Sequence, residues 1–439
     1  MSPLIIVLLG ILLLIFLIGY FKLNTFITFI IVSVVIGLAL GMDISTVTNA
    51  IKIGIGNTLG FLVIILGFGA MLGKIVADSG AAQRITTSMI NAFGEKYVQI
   101  ALVLTGFIVG IPMFYSVGFV ILVPLVFSVA ARTKLPLLYV GLPMLASLSV
   151  THGYLPPHPA PSALADTFGA DLGRTLMYGL IVAIPAIILG GPVFSRTLKK
   201  YNPKPLAELY NPEVLSDDEM PGLAASIFAA LLPVILLALT TFLSIFVNSE
   251  TIFGKILTFL GDPFMAMLIS VIVAIYVLGI RRNKTMNEVS ESLMSGVKGI
   301  AMIMLIIGGA GALKQILIES GVSDLIAKNL ITLDASPYLL AWGIAAVIRV
   351  CVGSATVAGL TSAGIVFPLI AQTGADPSLM VLATGAGSLM FSHFNDSGFW
   401  LFKEYFNLSV KDTLKTWSVM ETIVSVVGIV GVMIMSYFV

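Results

Sequence analysis

Histidine is the side chain that most readily exchanges a proton near neutral pH, and the chain contains three. His152 and His158 lie in the segment SVTHGYLPPHPAPSALADTFGADLGRTL, and His393 lies in GAGSLMFSHFNDSGFWLFKEYFNLSV. In surroundings this apolar, a histidine either relays protons or has a satisfied structural role. His158 stands in a proline-rich stretch and is interpreted as an organiser of a loop. His152 and His393 are candidates for proton exchange.

One arginine and one polar triplet complete the set of candidates. Arg349 ends the apolar run YLLAWGIAAVIR, and Asn395, Asp396 and Ser397 follow His393 closely. A planar guanidinium suits bidentate binding of a carboxylate. The triplet offers hydrogen bonds to hydroxyl groups, and Asp396 also provides a carboxyl that takes up a proton. The alternatives are a structural salt bridge or snorkelling for the arginine and an Asx turn for the triplet.

The composition determines which kind of element positions these residues. The 439 residues are 58% hydrophobic and 10% charged, with a mean hydropathy of +1.08, whereas soluble domains carry about 25% charged residues. We therefore predict an all-α, polytopic membrane protein. The balance of 23 Lys and Arg against 22 Asp and Glu leaves no basic surface for nucleic acid. The single Cys351 excludes a disulfide framework and a cysteine metal cluster.

Apolar stretches long enough to span a bilayer fall into two sets around a polar connector, residues 199–221. This pattern predicts an N-terminal transmembrane repeat, 1–198, and a C-terminal one, 222–439. Basic residues in the connector and in the loop 281–284 place both in the cytoplasm by the positive-inside rule. The predicted stretches are 3–20, 25–41, 57–77, 97–130, 137–152, 176–195, 222–246, 262–280, 298–318, 338–373, 376–392 and 416–438.

The two sets also match in sequence. Residues 67–80, GFGAMLGKIVADSG, resemble residues 308–321, GGAGALKQILIESG, and the same offset pairs His152 with His393. We interpret this match as an internal duplication. Inverted repeats of this kind are a common way to build a secondary transporter, with the binding site at the repeat interface.

Each set contains one apolar run that is interrupted by small residues and proline. These runs are FIVGIPMFYSVGFVILVP at 107–124 and RVCVGSATVAGLTSAGIVFP at 349–368. Interruption at corresponding positions indicates broken or re-entrant helices at a binding site, whose free N–H groups attract an anion. The alternative is close helix packing through small residues.

Motifs for other functions are absent from the sequence. It contains no GxxxxGK[ST] loop for ATP and no HExxH, GxSxG or CxxC motif. No TVGYG-type channel filter is present. We therefore predict neither an enzyme nor a cofactor.

Three long segments resemble the gluconate:proton symporter (gluconate permease) family of the ion transporter superfamily, and the likeness covers nearly the whole chain. They are HGYLPPHPAPSALADTFGADLGRTLMYGLIVAIPAIILGGPV, IRVCVGSATVAGLTSAGIV and GAGSLMFSHFNDSGFWLFKEYFNLSVKDTLKTWSVMETI. The resemblance implies a multi-pass importer of gluconate or a related sugar acid with protons in the bacterial cytoplasmic (inner) membrane. It also implies two inverted repeats, paired re-entrant hairpins, elevator-type motion and a homodimer.

The chain departs from the family at one position of PMFYSVGFV, where Ser116 stands in place of the usual acidic residue. The coupling proton is then expected on Asp396, His152 or His393. The substrate is expected to be gluconate or a relative such as glycerate, idonate or an amino-sugar acid.

These inferences together predict a substrate site at the two breaks. The carboxylate is expected beside Arg349 at the helix start formed by Gly353, Ser354 and Thr356. The hydroxyl groups are expected to contact Ser116, Thr151, His152, Ser392, His393 and Asn395. The alternatives are a sodium-coupled carboxylate transporter of the same superfamily and an uncoupled channel or receptor for organic anions.

Overall fold

The fold is built from apolar helices. A computed structural model describes residues 2–113, 115–201, 203, 215–243, 246–248, 250–322, 325, 335–393 and 396–439, and no strand occurs among them. Within these ranges six helices are long and apolar enough to cross a membrane, or seven if the bent pair Ile44–Gly60 and Leu62–Asp78 forms one span. The chain is therefore a polytopic, multi-pass membrane protein.

The first half contains nine helices among the described residues. They are α1 (Pro3–Gly19), α2 (Thr25–Ala39), α3 (Ile44–Asp78), α4 (Ala81–Phe93), α5 (Val98–Gly110), α6 (Tyr115–Thr133), α7 (Leu137–Tyr154), α8 (Pro159–Phe168) and α9 (Leu172–Ile188), which continues as a π-helical turn, Leu189–Val193.

The helices of the second half follow the connector. They are α10 (Leu223–Leu243), α11 (Ile252–Gly261), α12 (Pro263–Ala274), α13 (Met286–Glu319), α14 (Pro337–Val352), α15 (Ala355–Thr373), α16 (Pro377–Ser388), α17 (Ser397–Tyr405), α18 (Val410–Thr413) and α19 (Val419–Met435). A π-helical turn, Ile275–Gly279, follows α12, and another, Leu414–Ser418, joins α18 to α19.

Both predicted interruptions are breaks between helices. In the first half α5 ends at Gly110 and α6 begins at Tyr115, and in the second half α14 ends at Val352 and α15 begins at Ala355. Gly353 ends α14 with φ +81°, in the left-handed region that favours glycine. Helices α3 and α5 to α8 recur, about 240 residues later, as α13 and α14 to α17, and α9 recurs as α18 and α19 with the π-helical turn between them. The inverted relation of the halves stays a prediction.

Helix α3 is longer than the predicted apolar stretch 57–77. It begins at Ile44 because the Asp43 carboxylate accepts hydrogen bonds from the amides of Ser45, at 2.9 Å, and Thr46, at 3.4 Å. The added turns bury Val47 and Ala50. Helices α3 and α13 pack along their lengths and form the central helix pair of the fold.

The described end of the connector packs on α4 and beside the loop 281–284. Gln83 exchanges hydrogen bonds with the backbone of Leu215, and Arg84 pairs with Asp217 at 3.0 Å. Arg282 donates to the carbonyl of Asp218. The connector end and this basic loop therefore lie on one face of the molecule, and the cytoplasmic placement of that face stays a prediction.

Candidate functional site

A cavity of about 650 Å³ lies where the two helix breaks meet. The first break contributes Met113 and Tyr115, and the second contributes Val352 through Thr356. Helices α3, α7, α13, α17 and α19, with the π-helical turn 414–418, contribute further wall residues. Small residues of the interrupted runs therefore line a cavity as well as packing helices.

Arg349 lies in the cavity wall, one turn before the end of α14. Its side chain is 3% exposed, and its Nη2 donates to Oδ2 of Asp396 in a buried ion pair. Its Nε and Nη1 have no hydrogen-bond partner among the described residues. Because buried guanidinium N–H groups are rarely left unpaired, these two nitrogens are candidate donors to an anion that binds beside Arg349.

Asp396 accepts hydrogen bonds from three donors among the described residues. Besides Arg349, it accepts from the Ser392 hydroxyl and, at 2.9 Å, from the amide of Gly398. The Ser392 hydroxyl in turn accepts from the Trp417 indole at 2.8 Å. Ser392 therefore positions Asp396, and Asp396 fixes the plane of the guanidinium.

The start of α15 faces the same cavity. Ser354 is its N-cap, with the side-chain oxygen accepting from the amide of Val357 at 3.4 Å. Gly353, Ser354 and Thr356 all line the cavity. The first N–H groups of a helix lack intrahelical acceptors and carry the positive end of its dipole, so this wall favours an anion.

Two residues that line the cavity each have one further polar atom that is buried without a partner in the described part of the chain. These atoms are the Tyr115 hydroxyl and Nδ1 of His152. Buried polar atoms normally have a hydrogen-bond partner. Together with the two donors of Arg349, they suit a ligand that carries both a carboxylate and hydroxyl groups.

The other two histidines bind backbone carbonyls next to the breaks. Nε2 of His158 donates to the carbonyl of Gly110 at 2.7 Å, and Nε2 of His393 donates to the carbonyl of Val350 at 2.8 Å. Each ring therefore satisfies a carbonyl in the last turn of a broken helix. His158 is also the N-cap residue of α8, although its side chain makes no capping hydrogen bond there.

The structure brings part of the predicted set into the cavity wall. The residues there are Arg349, Gly353, Ser354, Thr356, His152 and Asp396. Three others are buried around this set: the Thr151 hydroxyl donates to the carbonyl of Leu148, and Ser392 and His393 have the partners given above. Asn395 and the side chain of Ser116 lie outside the described residues.

Two charged residues of the cavity were missing from the sequence prediction. Glu421, on α19, is 2% exposed and accepts from the Ser149 hydroxyl at 2.6 Å. Lys74, on α3, pairs with Asp78 at 2.7 Å. An ionisable residue inside an apolar helix marks a functional site by default, and both stand inside predicted spans, so the signal was present in the sequence.

Lys74 marks the end of the cavity that lies nearest the basic loop. Its partner Asp78 accepts from the Ser292 hydroxyl at 2.7 Å, and the Asp78 carbonyl accepts from Lys284 at 3.1 Å. Because Lys284 belongs to the loop 281–284, the cavity extends from Arg349 and Glu421 towards the face on which that loop lies.

Comparison with known proteins gives matches over the full length. A family model described as GntP family permease matches residues 2–438. The high-affinity gluconate transporter of Escherichia coli (strain K12) is 51% identical over 435 residues, which cover 99% of each chain. The Gnt-II system L-idonate transporter of the same organism is 50% identical over 431 residues, which cover 98% of each chain.

A solved structure, that of the Alcanivorax borkumensis YdaH transporter, has a similar fold. The TM-score is 0.69 at 16% identity, and the match covers 94% of this chain and 98% of that one. These relatives are described as transporters and not as enzymes, and the bacterial relatives fit a multi-pass protein of the inner membrane. The family inferred from the sequence is confirmed: the chain belongs to the GntP permease family.

Proposed function

We propose that the chain imports gluconate or a related sugar acid together with protons across the inner membrane. The observation that carries the proposal is Arg349, a nearly fully buried guanidinium with two donors directed to no acceptor among the described residues. The relatives described as gluconate and L-idonate transporters support a sugar acid as the substrate class.

The substrate carboxylate binds Nε and Nη1 of Arg349 at the start of α15. Charge-assisted hydrogen bonds of this type are among the strongest available to a protein. Asp396 keeps the guanidinium in place through Nη2. Tyr115 and His152 form hydrogen bonds with the hydroxyl groups of the sugar acid. Ser116 and Asn395 are predicted to contact the same hydroxyl groups.

Elevator-type motion in a homodimer is part of the same proposal. A unit containing both breaks moves against a scaffold formed by the first helices of each half. The recurrence of the helix order in the two halves supports this arrangement. The end of the cavity at Lys74 would then be the exit of the substrate towards the cytoplasm.

Uptake into proteoliposomes tests the proposal. The purified chain is reconstituted, and labelled gluconate is supplied with an imposed proton gradient and, separately, with a sodium gradient. We expect accumulation with the proton gradient alone, competition by unlabelled idonate and no competition by glucose, which lacks the carboxylate.

The other outcomes distinguish the alternatives. Accumulation that follows only the sodium gradient would replace the proposal with a sodium-coupled carboxylate transporter. Equilibration without accumulation under either gradient would indicate an uncoupled channel. Transport of another sugar acid but not of gluconate would keep the mechanism and change the substrate.

A further inference from the structure

Glu421 is a cavity carboxyl without a cationic partner among the described residues. It lies in the first turn of α19, is 2% exposed and accepts one hydrogen bond, from Ser149 on α7. No Lys, Arg or His of the described residues lies within ion-pair distance of it. An ionised carboxylate removed from water with one neutral donor is unfavourable, so this position suits a group that exchanges a proton.

The surroundings of Glu421 carry little compensating charge. The π-helical turn 189–193 and α16, both packed on α19, contain no titratable residue. Helix α9 contributes Arg174 and Tyr178, which bond to each other, and Arg174 pairs with Asp376. Lys415, in the turn before α19, is exposed. The ionisable groups near Glu421 are Tyr115, Tyr154, Arg349 and Asp396, and His152 lies beside the last two.

Asp396, by contrast, is committed to Arg349. Its oxygens accept from Arg349, Ser392 and the amide of Gly398. Protonation of this carboxyl would leave a buried guanidinium without its anion, which is strongly destabilising in buried pairs. A proton on His152 would add a second positive charge close to Arg349.

Charge balance links a proton on Glu421 to the substrate. The charges of Arg349 and Asp396 cancel, so an ionised Glu421 confronts the incoming carboxylate with a like charge in a poorly hydrated cavity. A neutral Glu421 removes that repulsion. By linkage, the bound anion then favours the proton as much as the proton favours the anion.

We infer that Glu421 is the residue that carries the coupling proton, an inference that rests on the proposed proton-coupled import. One proton moves from the outside water to the Glu421 carboxylate as the anion loads, and the same O–H bond breaks to release it on the inside. The cycle needs no other reactant.

The test compares two transport modes in proteoliposomes. Glu421→Gln, which imitates the protonated carboxyl, is expected to keep the exchange of labelled for unlabelled gluconate and to lose accumulation driven by a proton gradient. The matched control is Glu404→Gln, which removes an exposed glutamate paired with Lys403 outside the cavity and is expected to keep both modes.

The outcomes separate this inference from the proposed function. Proton-driven accumulation that persists in Glu421→Gln overturns the role of Glu421 while leaving proton symport intact. Absence of proton-driven accumulation in the unaltered chain refutes the proposed coupling itself. If Glu421→Gln loses proton-driven accumulation but retains exchange, while Glu404→Gln keeps both modes, the inference is supported.

Ser149→Ala provides a second variant that keeps the carboxyl in place. It removes the hydroxyl that donates to the Glu421 carboxylate, so the pH dependence of uptake is expected to change if Glu421 carries the proton. The pH of half-maximal uptake is expected to rise by about one unit. An unchanged pH profile in a folded Ser149→Ala protein would overturn the inference even if Glu421→Gln fails to fold.

Discussion

Arg349→Lys tests whether the buried guanidinium binds Asp396 with one nitrogen and the substrate with the other two. Arg349 bonds Asp396 through Nη2 and keeps Nε and Nη1 for the substrate. An ammonium group is a single point charge without this planar fork, so lysine retains the charge but loses at least one hydrogen bond to the carboxylate. A hydrogen bond to a charged group contributes about 1.5–3 kcal/mol, which corresponds to a KM for gluconate raised about 10- to 150-fold.

The assay is initial uptake of labelled gluconate as a function of its concentration, normalised to the amount of inserted protein. Arg174→Lys is the matched control, because Arg174 pairs with Asp376 at 3.2 Å but lies outside the cavity wall. We expect an unchanged KM for the control. Arg349→Ala should lower uptake further despite normal insertion. A KM for Arg349→Lys within twofold of the original would refute the assignment of the carboxylate to Arg349.

Two further predictions concern the helix breaks. A Cβ at Gly73 would lie 2.3 Å from the carbonyl oxygen of Pro112, in the first break. Gly73→Ala is therefore expected to lower the melting temperature and to reduce the free energy of unfolding by about 1–3 kcal/mol. A Cβ at Gly56, on the same helix, would meet nothing within 4 Å, so Gly56→Ala is expected to leave the melting temperature unchanged. Equal melting temperatures for the two variants would contradict the close contact at Gly73. His158→Ala removes the donor to the buried carbonyl of Gly110 and is expected to reduce the free energy of unfolding by about 1–3 kcal/mol. The measurement is thermal unfolding in detergent, and an unchanged unfolding transition would show that the hydrogen bond is dispensable.

The sequence predicted the features that depend on local composition. Hydropathy located the apolar helices, and the glycine and proline interruptions located both breaks. At the second break the left-handed Gly353 ends α14. The extra turns of α3 were missed because residues 44–56 include many polar side chains. Their helix depends on the Asp43 cap and on packing against α13.

The sequence yielded candidate residues whose type alone suggests a role in binding, but not the contacts that these residues make with one another. Arg349 and Asp396 were both candidates, but their mutual ion pair depends on two segments that meet only in the fold. His152 and His393 occupy matching sequence positions, yet His393 binds a carbonyl and His152 faces the cavity. The charge of Glu421 inside a predicted span was a signal in the sequence, but its hydrogen bond to Ser149 comes from helix packing.

The most direct test of the account is a structure of the chain with bound gluconate, determined by electron cryomicroscopy. We expect the carboxylate in the cavity between the two breaks, with its oxygens about 3 Å from Nε and Nη1 of Arg349 and the Arg349–Asp396 pair intact. Gluconate bound elsewhere, or in this cavity with its carboxylate directed away from Arg349, would contradict the account.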